Sequence, residues 1–144
     1  MKKAFVIILL SALVVALSAC RTPEKYDFLH PESEIAAVHI VEIQCAADGT
    51  ESVTQLCEIE DSASFLAAFR AVDCYVYWGD PIGPYEKGET AVVVKVIYNN
   101  GDYELIAWNG QAEYTQENGY CHYAGFSVFD EDKFNSLLSS YISN

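Results

Sequence analysis

Cysteine and histidine are the side chains in this sequence that most readily support redox, metal or nucleophilic chemistry. Four cysteines lie in the body of the chain, at Cys45, Cys57, Cys74 and Cys121. An even number of cysteines in an exported domain favours two disulfides, and free thiols are the alternative. Zinc is a weaker interpretation, because no two of these cysteines have the short spacing of a metal knuckle and the three histidines are scattered.

Cys121 and His122 are adjacent and have the residue types of a thiol–imidazole pair. Neighbouring side chains on a strand point to opposite faces, however, so the two cannot activate one another. The sequence also contains no phosphate-binding loop, dinucleotide fingerprint, nucleophile elbow or zinc-protease motif. It therefore predicts no catalytic residue, no metal site and no cofactor.

Two glutamates, Glu104 and Glu113, are the candidates for a pair of carboxylates that could act in hydrolysis. Such a pair requires two acids that flank the bond to be cleaved. Glutamates on the solvated face of a sheet are the simpler interpretation. The acidic run Asp130–Asp132 is explained by the start of a helix, where the helix dipole favours anions.

Tyrosine and tryptophan are concentrated between residues 75 and 123. Exposed aromatic side chains are favoured at recognition surfaces, because they offer a large contact area at a small cost in entropy. The sequence predicts a binding surface formed by Tyr75, Tyr77, Trp78, Asp80, Tyr85 and Tyr123. The alternative is that cross-strand aromatic pairs only stabilise a sheet.

The acidity of the chain restricts its partners. All 21 acidic residues follow Cys20, together with six basic residues, so this part of the chain carries a net charge of −15. A phosphate backbone would repel it, which argues against nucleic acid, and a basic protein is the electrostatic expectation. The hydrophobic fraction of 51% indicates a folded chain, because enough apolar surface is present to form a core.

Turn signals divide the chain into predicted strands. Asp48-Gly49, Asn100-Gly101, Asn109-Gly110 and Asn118-Gly119 each favour a tight hairpin, because these residues tolerate a positive φ. The predicted strands are Ile35–Cys45, Ser52–Ile59, Cys74–Trp78, Ala91–Tyr98, Tyr103–Trp108, Gln111–Thr115 and Tyr120–Phe129. Residues 79–90 hold three glycines and two prolines and are predicted to form a loop.

Two amphipathic helices complete the pattern. Asp61 or Ser62 caps the first, and Asp130 caps the second. Their apolar stripes are Phe65, Phe69 and Val72 in the first helix and Phe134, Leu137, Leu138 and Tyr141 in the second. The sequence therefore predicts an α+β fold, in which an antiparallel meander carries both helices on one face. The similar spacing in the two helices allows a duplicated hairpin–helix unit, although any capped amphipathic helix shows such spacing.

The first 19 residues are typical of an export signal. Lys2 and Lys3 precede the uncharged run Ala4–Leu17, which is too short to span about 30 Å of hydrocarbon comfortably. The run ends in Leu17-Ser18-Ala19-Cys20, which resembles the lipobox of bacterial lipoproteins. This resemblance implies cleavage before Cys20 and attachment of a diacylglycerol, with fatty acyl chains such as palmitate, to that residue. An ordinary signal or anchor helix with an incidental cysteine is the alternative.

The remaining chain is interpreted as a lipidated polar tether, residues 20–34, followed by one globular domain, residues 35–144. Tyr77-Trp78-Gly79-Asp80-Pro81, Tyr98–Glu104 and Phe129-Asp130-Glu131 resemble segments of small uncharacterised lipoproteins from Gram-positive bacteria. The resemblance extends from Cys74 to Tyr141, about half of the chain. It implies a location and a type of fold, and it implies no activity.

These observations favour a membrane-anchored lipoprotein on the extracytoplasmic face of the cell membrane. Its domain is expected to be a non-enzymatic interaction module for a basic protein or a cell-wall polymer. One alternative is a wall-active or small-substrate hydrolase that uses carboxylates. Another is a structural accessory subunit of a membrane complex.

Overall fold

The computed structural model describes residues 23–78, 83–122 and 125–143. These residues form eight antiparallel strands and two helices, so the predicted α+β class is confirmed. The strands are β1 (Ile35–Cys45), β2 (Glu51–Glu58), β3 (Cys74–Trp78), β4 (Thr90–Tyr98), β5 (Tyr103–Ala107), β6 (Gly110–Thr115), β7 (Gly119–His122) and β8 (Gly125–Phe129). The helices are α1 (Ser62–Arg70) and α2 (Glu131–Ile142), and a single 3-10 turn, Glu32–Glu34, precedes β1.

Six of the strands form one sheet in the order β2-β1-β4-β5-β6-β7. Strands β4 to β7 follow one another through tight turns, which confirms the predicted meander. Gly101 and Gly119 have positive φ angles of 90° and 71°, which is the conformation that the Asn-Gly signals predicted for these turns. Gly110 differs, because it is the first residue of β6 and has no positive φ.

The predicted strand Tyr120–Phe129 is in fact two strands that belong to different sheets. β7 pairs with β6 in the large sheet, whereas β8 pairs with β3 in a separate two-stranded sheet. The backbone N–H of Ser127 donates to the side-chain oxygen of Gln111, and that of Phe129 donates to the carbonyl of Trp108. These bonds fix β8 to the rim of the large sheet. The two helices consequently follow strands of different sheets.

Both helices pack on one face of the six-stranded sheet, as predicted. Asp61 and Asp130 cap them, each accepting a backbone N–H of the first turn at 3.0 Å. The core between helices and sheet is formed by apolar side chains that are less than one-tenth exposed, including Val38, Ile40, Phe65, Phe69, Val94, Val96, Phe129, Phe134 and Leu138. This face of the sheet is called the helix side below.

Residues 24–34 form a strap that packs on the helix side, where the sequence predicted a tether. Tyr26 is only 6% exposed, and its ring contacts Phe28, Phe69 and Phe129 at centroid distances of 5.0 to 5.8 Å. The N–H of Glu24 also donates to the carbonyl of Cys74 at 2.8 Å. The folded part of the chain therefore begins about ten residues earlier than the predicted boundary at residue 35.

The opposite face of the sheet carries a smaller apolar cluster and no helix within the described residues. Val41, Ile43, Val93 and Leu105 are buried there. Tyr85, which belongs to the segment 83–89 before β4, packs against this cluster. Coverage of this face is thus partial, in contrast to the helix side. No helix in the described part of the chain is long and apolar enough to cross a bilayer.

Cys45, Cys57 and Cys74 are free thiols in the structure, which is the alternative to the predicted disulfides. Cys45 lies opposite Glu51 in the pairing of β1 with β2, whereas Cys57 lies opposite Ile40. Five residues of strand separate these two positions, about 16 Å, which is far beyond the reach of a disulfide. The side chain of Cys121 lies outside the described part of the structure.

Alkylation distinguishes the free thiols of the structure from the disulfides predicted from the sequence. We expect iodoacetamide to modify at least three cysteines when the protein is denatured without a reductant, because Cys45, Cys57 and Cys74 carry no bond to another sulfur. Intact mass before and after alkylation measures this number, and a sample reduced first provides the maximum. An unchanged mass without reductant would instead support two disulfides.

Candidate functional site

The two glutamates singled out in the sequence face each other on the helix side. Glu104 on β5 lies directly opposite Glu113 on β6. The interpretation that both are solvated is wrong for Glu104, which is 0% exposed because the strap covers it. Glu113 is half-buried, and its Oε2 atom has no hydrogen-bond partner among the described residues.

Both carboxylate oxygens of Glu104 accept hydrogen bonds from neighbouring residues. The hydroxyl of Tyr26 donates to Oε2 at 2.7 Å, and the hydroxyl of Tyr98 donates to Oε1. The N–H of Leu29 also donates to Oε1, at 3.3 Å. Burial raises the pKa of Glu104, the three donors act in the opposite direction, and the charge of Glu113 adds to the rise.

A second polar contact holds the strap beside this carboxyl group. Nε2 of His30 lies 2.7 Å from Oδ2 of Asp102, a residue at the turn between β4 and β5. Asp102 also accepts the backbone N–H of Gln116 at 2.9 Å and the side-chain amide of Asn100 at 2.8 Å. The bond from Gln116, followed by that from His30, lowers the pKa of Asp102.

The carboxylates therefore hold the strap to the sheet, and they do not form an open site. A cleft of about 400 Å³ lies next to them and is lined by the strap, including Tyr26, Leu29 and His30, and by Arg70. Glu104 and Glu113 do not line that cleft. A glycosidase-type mechanism needs both acids in contact with substrate and one of them beside water. The fully buried and fully hydrogen-bonded Glu104 does not meet this requirement.

The opposite side of the sheet carries a cluster of tyrosines that we call the tyrosine face. It consists of Tyr85, Tyr103, Tyr114 and Tyr120, with Lys95 and the β2 residues Glu51 and Val53 beside them. The β5, β6 and β7 tyrosines occupy one row, because Tyr103 lies opposite Tyr114 and Tyr114 lies opposite Tyr120 in the strand pairings. A cleft of about 150 Å³ opens among these side chains.

Ring stacking and hydrogen bonds hold the tyrosine face in place. The rings of Tyr103 and Tyr114 are nearly parallel, at 12°, with centroids 5.0 Å apart. The ammonium group of Lys95 lies 4.5 Å from the centroid of the Tyr103 ring, a cation–π contact. The hydroxyls of Tyr85 and Tyr120 are 3.2 Å apart, which joins the segment 83–89 to the far edge of the sheet.

The hydroxyls of Tyr85, Tyr103 and Tyr120 remain protonated at neutral pH. Burial is the main cause that raises the pKa of Tyr85, Tyr103 and Tyr120 above the ordinary value. The negative charge of Glu51 adds to the rise at all three hydroxyls. The face consequently presents neutral phenol groups, which can donate and accept hydrogen bonds, beside one carboxylate and one ammonium group.

Where they are described, the residues predicted to form a binding surface belong to different parts of the structure. Tyr85 belongs to the tyrosine face. Tyr75 and Tyr77 are half-buried on β3, the strand that contributes Cys74 to the core of the helix side. Trp78 is described only as the last residue of β3. Asp80 and Tyr123, like the predicted lipidation residue Cys20, lie outside the described residues.

The sequence criteria do not assign Tyr103, Tyr114, Tyr120 or Lys95 to a binding surface. The Asn-Gly turn signals do not find them, because a two-residue turn at Asn109-Gly110 would place Tyr103 opposite Gln116 and not opposite Tyr114. The observed turns differ from that register, because Ala107 pairs with Gly110 and Thr115 pairs with Gly119. Among the described residues, no three histidine, cysteine, aspartate or glutamate side chains are grouped as metal ligands.

No protein-family model matches the chain, and no curated protein or solved structure matches it significantly.

Replacement of Glu104 by glutamine tests its buried environment. The pKa of Glu104 in the folded protein lies above its ordinary value of 4.5, so its contribution to stability is complete below that pH and is lost as the pH rises through the folded pKa. Glutamine does not titrate. We therefore expect the free energy of unfolding of the wild type to fall relative to Glu104→Gln as the pH increases from 4.5 towards neutral.

Urea unfolding at several pH values measures this difference. Asp27→Asn is the matched control, because Asp27 is an exposed acid on the same strap. Its difference from the wild type should be small at every pH. A difference between wild type and Glu104→Gln that stays constant with pH would contradict the described environment of Glu104.

Proposed function

We propose that this protein is an extracytoplasmic lipoprotein whose domain binds a basic partner protein through the tyrosine face, without catalysis. The observation that carries this proposal is the tyrosine row on the sheet face to which the described residues contribute no helix. The anchor is the lipid on Cys20 implied by the lipobox resemblance. The placement on the outer side of a bacterial cell membrane follows from the same resemblance.

Exposure of apolar and aromatic groups supports a binding role for the tyrosine face. Tyr120 is 42% exposed and Val53 is 57% exposed, at opposite edges of the sheet. Tyrosine contributes strongly to protein interfaces, since its ring buries a large area and its hydroxyl can still form a hydrogen bond. The rings here are also held by stacking and by Lys95, so binding would require little additional ordering.

Charge favours a basic partner. The chain after Cys20 carries a net charge of −15, and Glu51 lies within the cleft of the tyrosine face. A positively charged partner would be attracted over a distance of about 10 Å at ordinary ionic strength, which raises the association rate. Protein is preferred over a wall polymer, because both Lys95 and Tyr114 already contact the Tyr103 ring. Little of that ring is left for stacking on a sugar.

Of the two alternative functions, the hydrolase is not favoured, whereas the accessory subunit is compatible with the proposed function. A carboxylate hydrolase is not favoured, because Glu104 is fully buried and holds the strap. An accessory subunit of a membrane complex is a specific form of the proposed function, in which the partner is itself a membrane protein. The identity of the protein crosslinked in the following experiment distinguishes that form from a soluble partner.

Crosslinking in living cells tests the tyrosine face. We expect a photoreactive amino acid at Tyr120 or Val53 to yield a discrete crosslinked protein, because both positions are exposed on that face. The control position is Ala63, an exposed residue on helix α1 at the other side of the sheet. The same product from all three positions, or a diffuse product of wall polymer, would contradict the proposal.

Replacement of Cys20 tests the anchor. We expect Cys20→Ala to shift the protein from the membrane fraction to the soluble fraction and to abolish incorporation of labelled fatty acid, because the lipid is attached to that thiol. Cys57→Ala is the control, since it removes a thiol from the folded domain and should leave fractionation unchanged. Retention of Cys20→Ala in the membrane would indicate that the apolar N-terminal run is itself the anchor.

A further inference from the structure

The two edge strands of the six-stranded sheet differ in length. β7 forms one edge and is four residues long, whereas β2 forms the other and is eight residues long. Every residue of β2 except Cys57 is exposed, including Val53 and Leu56. Within the described residues, no other strand, helix or loop forms backbone hydrogen bonds with the outer edge of β2.

The pairing of β1 shows which backbone groups of β2 point outwards. The N–H of Cys45 donates to the carbonyl of Glu89 at 2.9 Å, and its own carbonyl accepts from Gly88 at 2.8 Å. Both groups of Cys45 are therefore turned away from β2, so its opposite residue, Glu51, cannot bond to it. By the alternation of an antiparallel pair, the N–H and C=O groups of Glu51, Val53 and Gln55 face the free edge.

This edge lacks most of the features that protect natural edge strands. The six residues between Glu51 and Glu58 carry no charge and no proline. Natural proteins block exposed edges with lysine, proline, short strands or bulges, because unpaired strand groups attract another chain. The one such feature is an irregularity in the pairing next to Gln55, which leaves the stretch 51–55 regular.

We propose that the edge of β2 at residues 51–55 binds an extended, basic segment of the partner protein, which adds to the sheet as a further strand. This inference rests on the proposed function, because Glu51 and Val53 also line the cleft of the tyrosine face. An added strand would extend that face by one row of side chains. Its backbone would satisfy the outward groups of β2, and its basic residues would lie near Glu51 and Glu58.

Charge disfavours a second copy of this chain as the occupant. Pairing of two β2 strands through their outward groups would centre on Val53 and place Glu51 of each copy opposite Gln55 of the other, so neither glutamate meets a basic residue. Each whole chain carries a net charge of −13, so two copies repel each other. A segment with lysine or arginine opposite Glu51 would instead be attracted to this edge.

Hydrogen exchange on the full-length chain in detergent micelles tests the edge. The probe is a capped eight-residue peptide of alternating threonine and valine with lysine at both ends, and a second peptide has glutamate at both ends. We expect the lysine peptide to slow exchange at the amides of Val53 and Gln55. We also expect it to bind about tenfold more tightly than the glutamate peptide, since the charge opposite Glu51 changes sign.

Two matched variants separate the backbone from the side chain. Val53→Pro removes the outward N–H and leaves the bonds from β2 to β1 in place, whereas Val53→Thr keeps the N–H on a β-branched side chain. We expect Val53→Pro to weaken binding of the lysine peptide at least about fivefold, and Val53→Thr to bind it nearly as the wild type does. A lysine peptide N-methylated at alternate residues should also fail to bind, which tests the backbone bonds without changing the fold.

Several results would overturn the edge proposal. The proposal would be wrong if Val53→Pro and Val53→Thr bound the lysine peptide equally well, or if the peptide slowed hydrogen exchange only outside β2. It would also be wrong if self-association protected the amides of Val53 and Gln55 without any peptide. Crosslinking from Tyr120 that persists in Val53→Pro cells would reject the edge and leave the proposed function standing. Persistence of the crosslink in Tyr85→Ala, together with its loss in Val53→Pro, would reject the tyrosine face alone.

Discussion

A carboxyl group enclosed by apolar side chains is stable only if it is hydrogen-bonded or protonated, and this requirement shapes the helix side of the protein. Glu104 receives hydrogen bonds from Tyr98 within the sheet and from Tyr26 and Leu29 of the strap. The strap must therefore stay on the sheet for the carboxyl group to keep its partners. Removal of the strap would expose the Phe69 and Phe129 rings as well, because Tyr26 packs against both.

The consequence of this arrangement is an asymmetric molecule. Strap, helices and the small β3–β8 sheet all lie on the helix side, whereas segment 83–89 partly covers the other side. A sheet with one polar or partly covered face is common among antiparallel structures. Here the part that no described element covers is aromatic, and stacked rings together with a cation–π contact restrain its side chains. This restraint matters, since a surface that is already ordered loses less entropy when a partner binds.

Local signals in the sequence predicted most of the secondary structure. Asp61 and Asp130 cap the two helices as expected, and the glycines at residues 101 and 119 form the expected hairpin turns. The division of Tyr120–Phe129 into strands of two sheets was missed, because a change of pairing partner leaves no mark in an alternating pattern. The strap was missed for a related reason, since Tyr26 and Phe28 lie among polar residues and two prolines. Their burial depends on contacts with residues more than forty positions away.

The short connection between the strap and the proposed lipid determines how the domain would sit on its membrane. Glu24 is fixed to Cys74 by a backbone hydrogen bond, and only four peptide units separate it from Cys20. An extended chain of that length reaches about 14 Å, roughly the depth of one leaflet's hydrocarbon. The helix side would then lie nearest the bilayer, and the tyrosine face would point outwards. A partner that approaches from outside the cell reaches that face directly, whereas one embedded in the bilayer needs an arm long enough to pass around the domain.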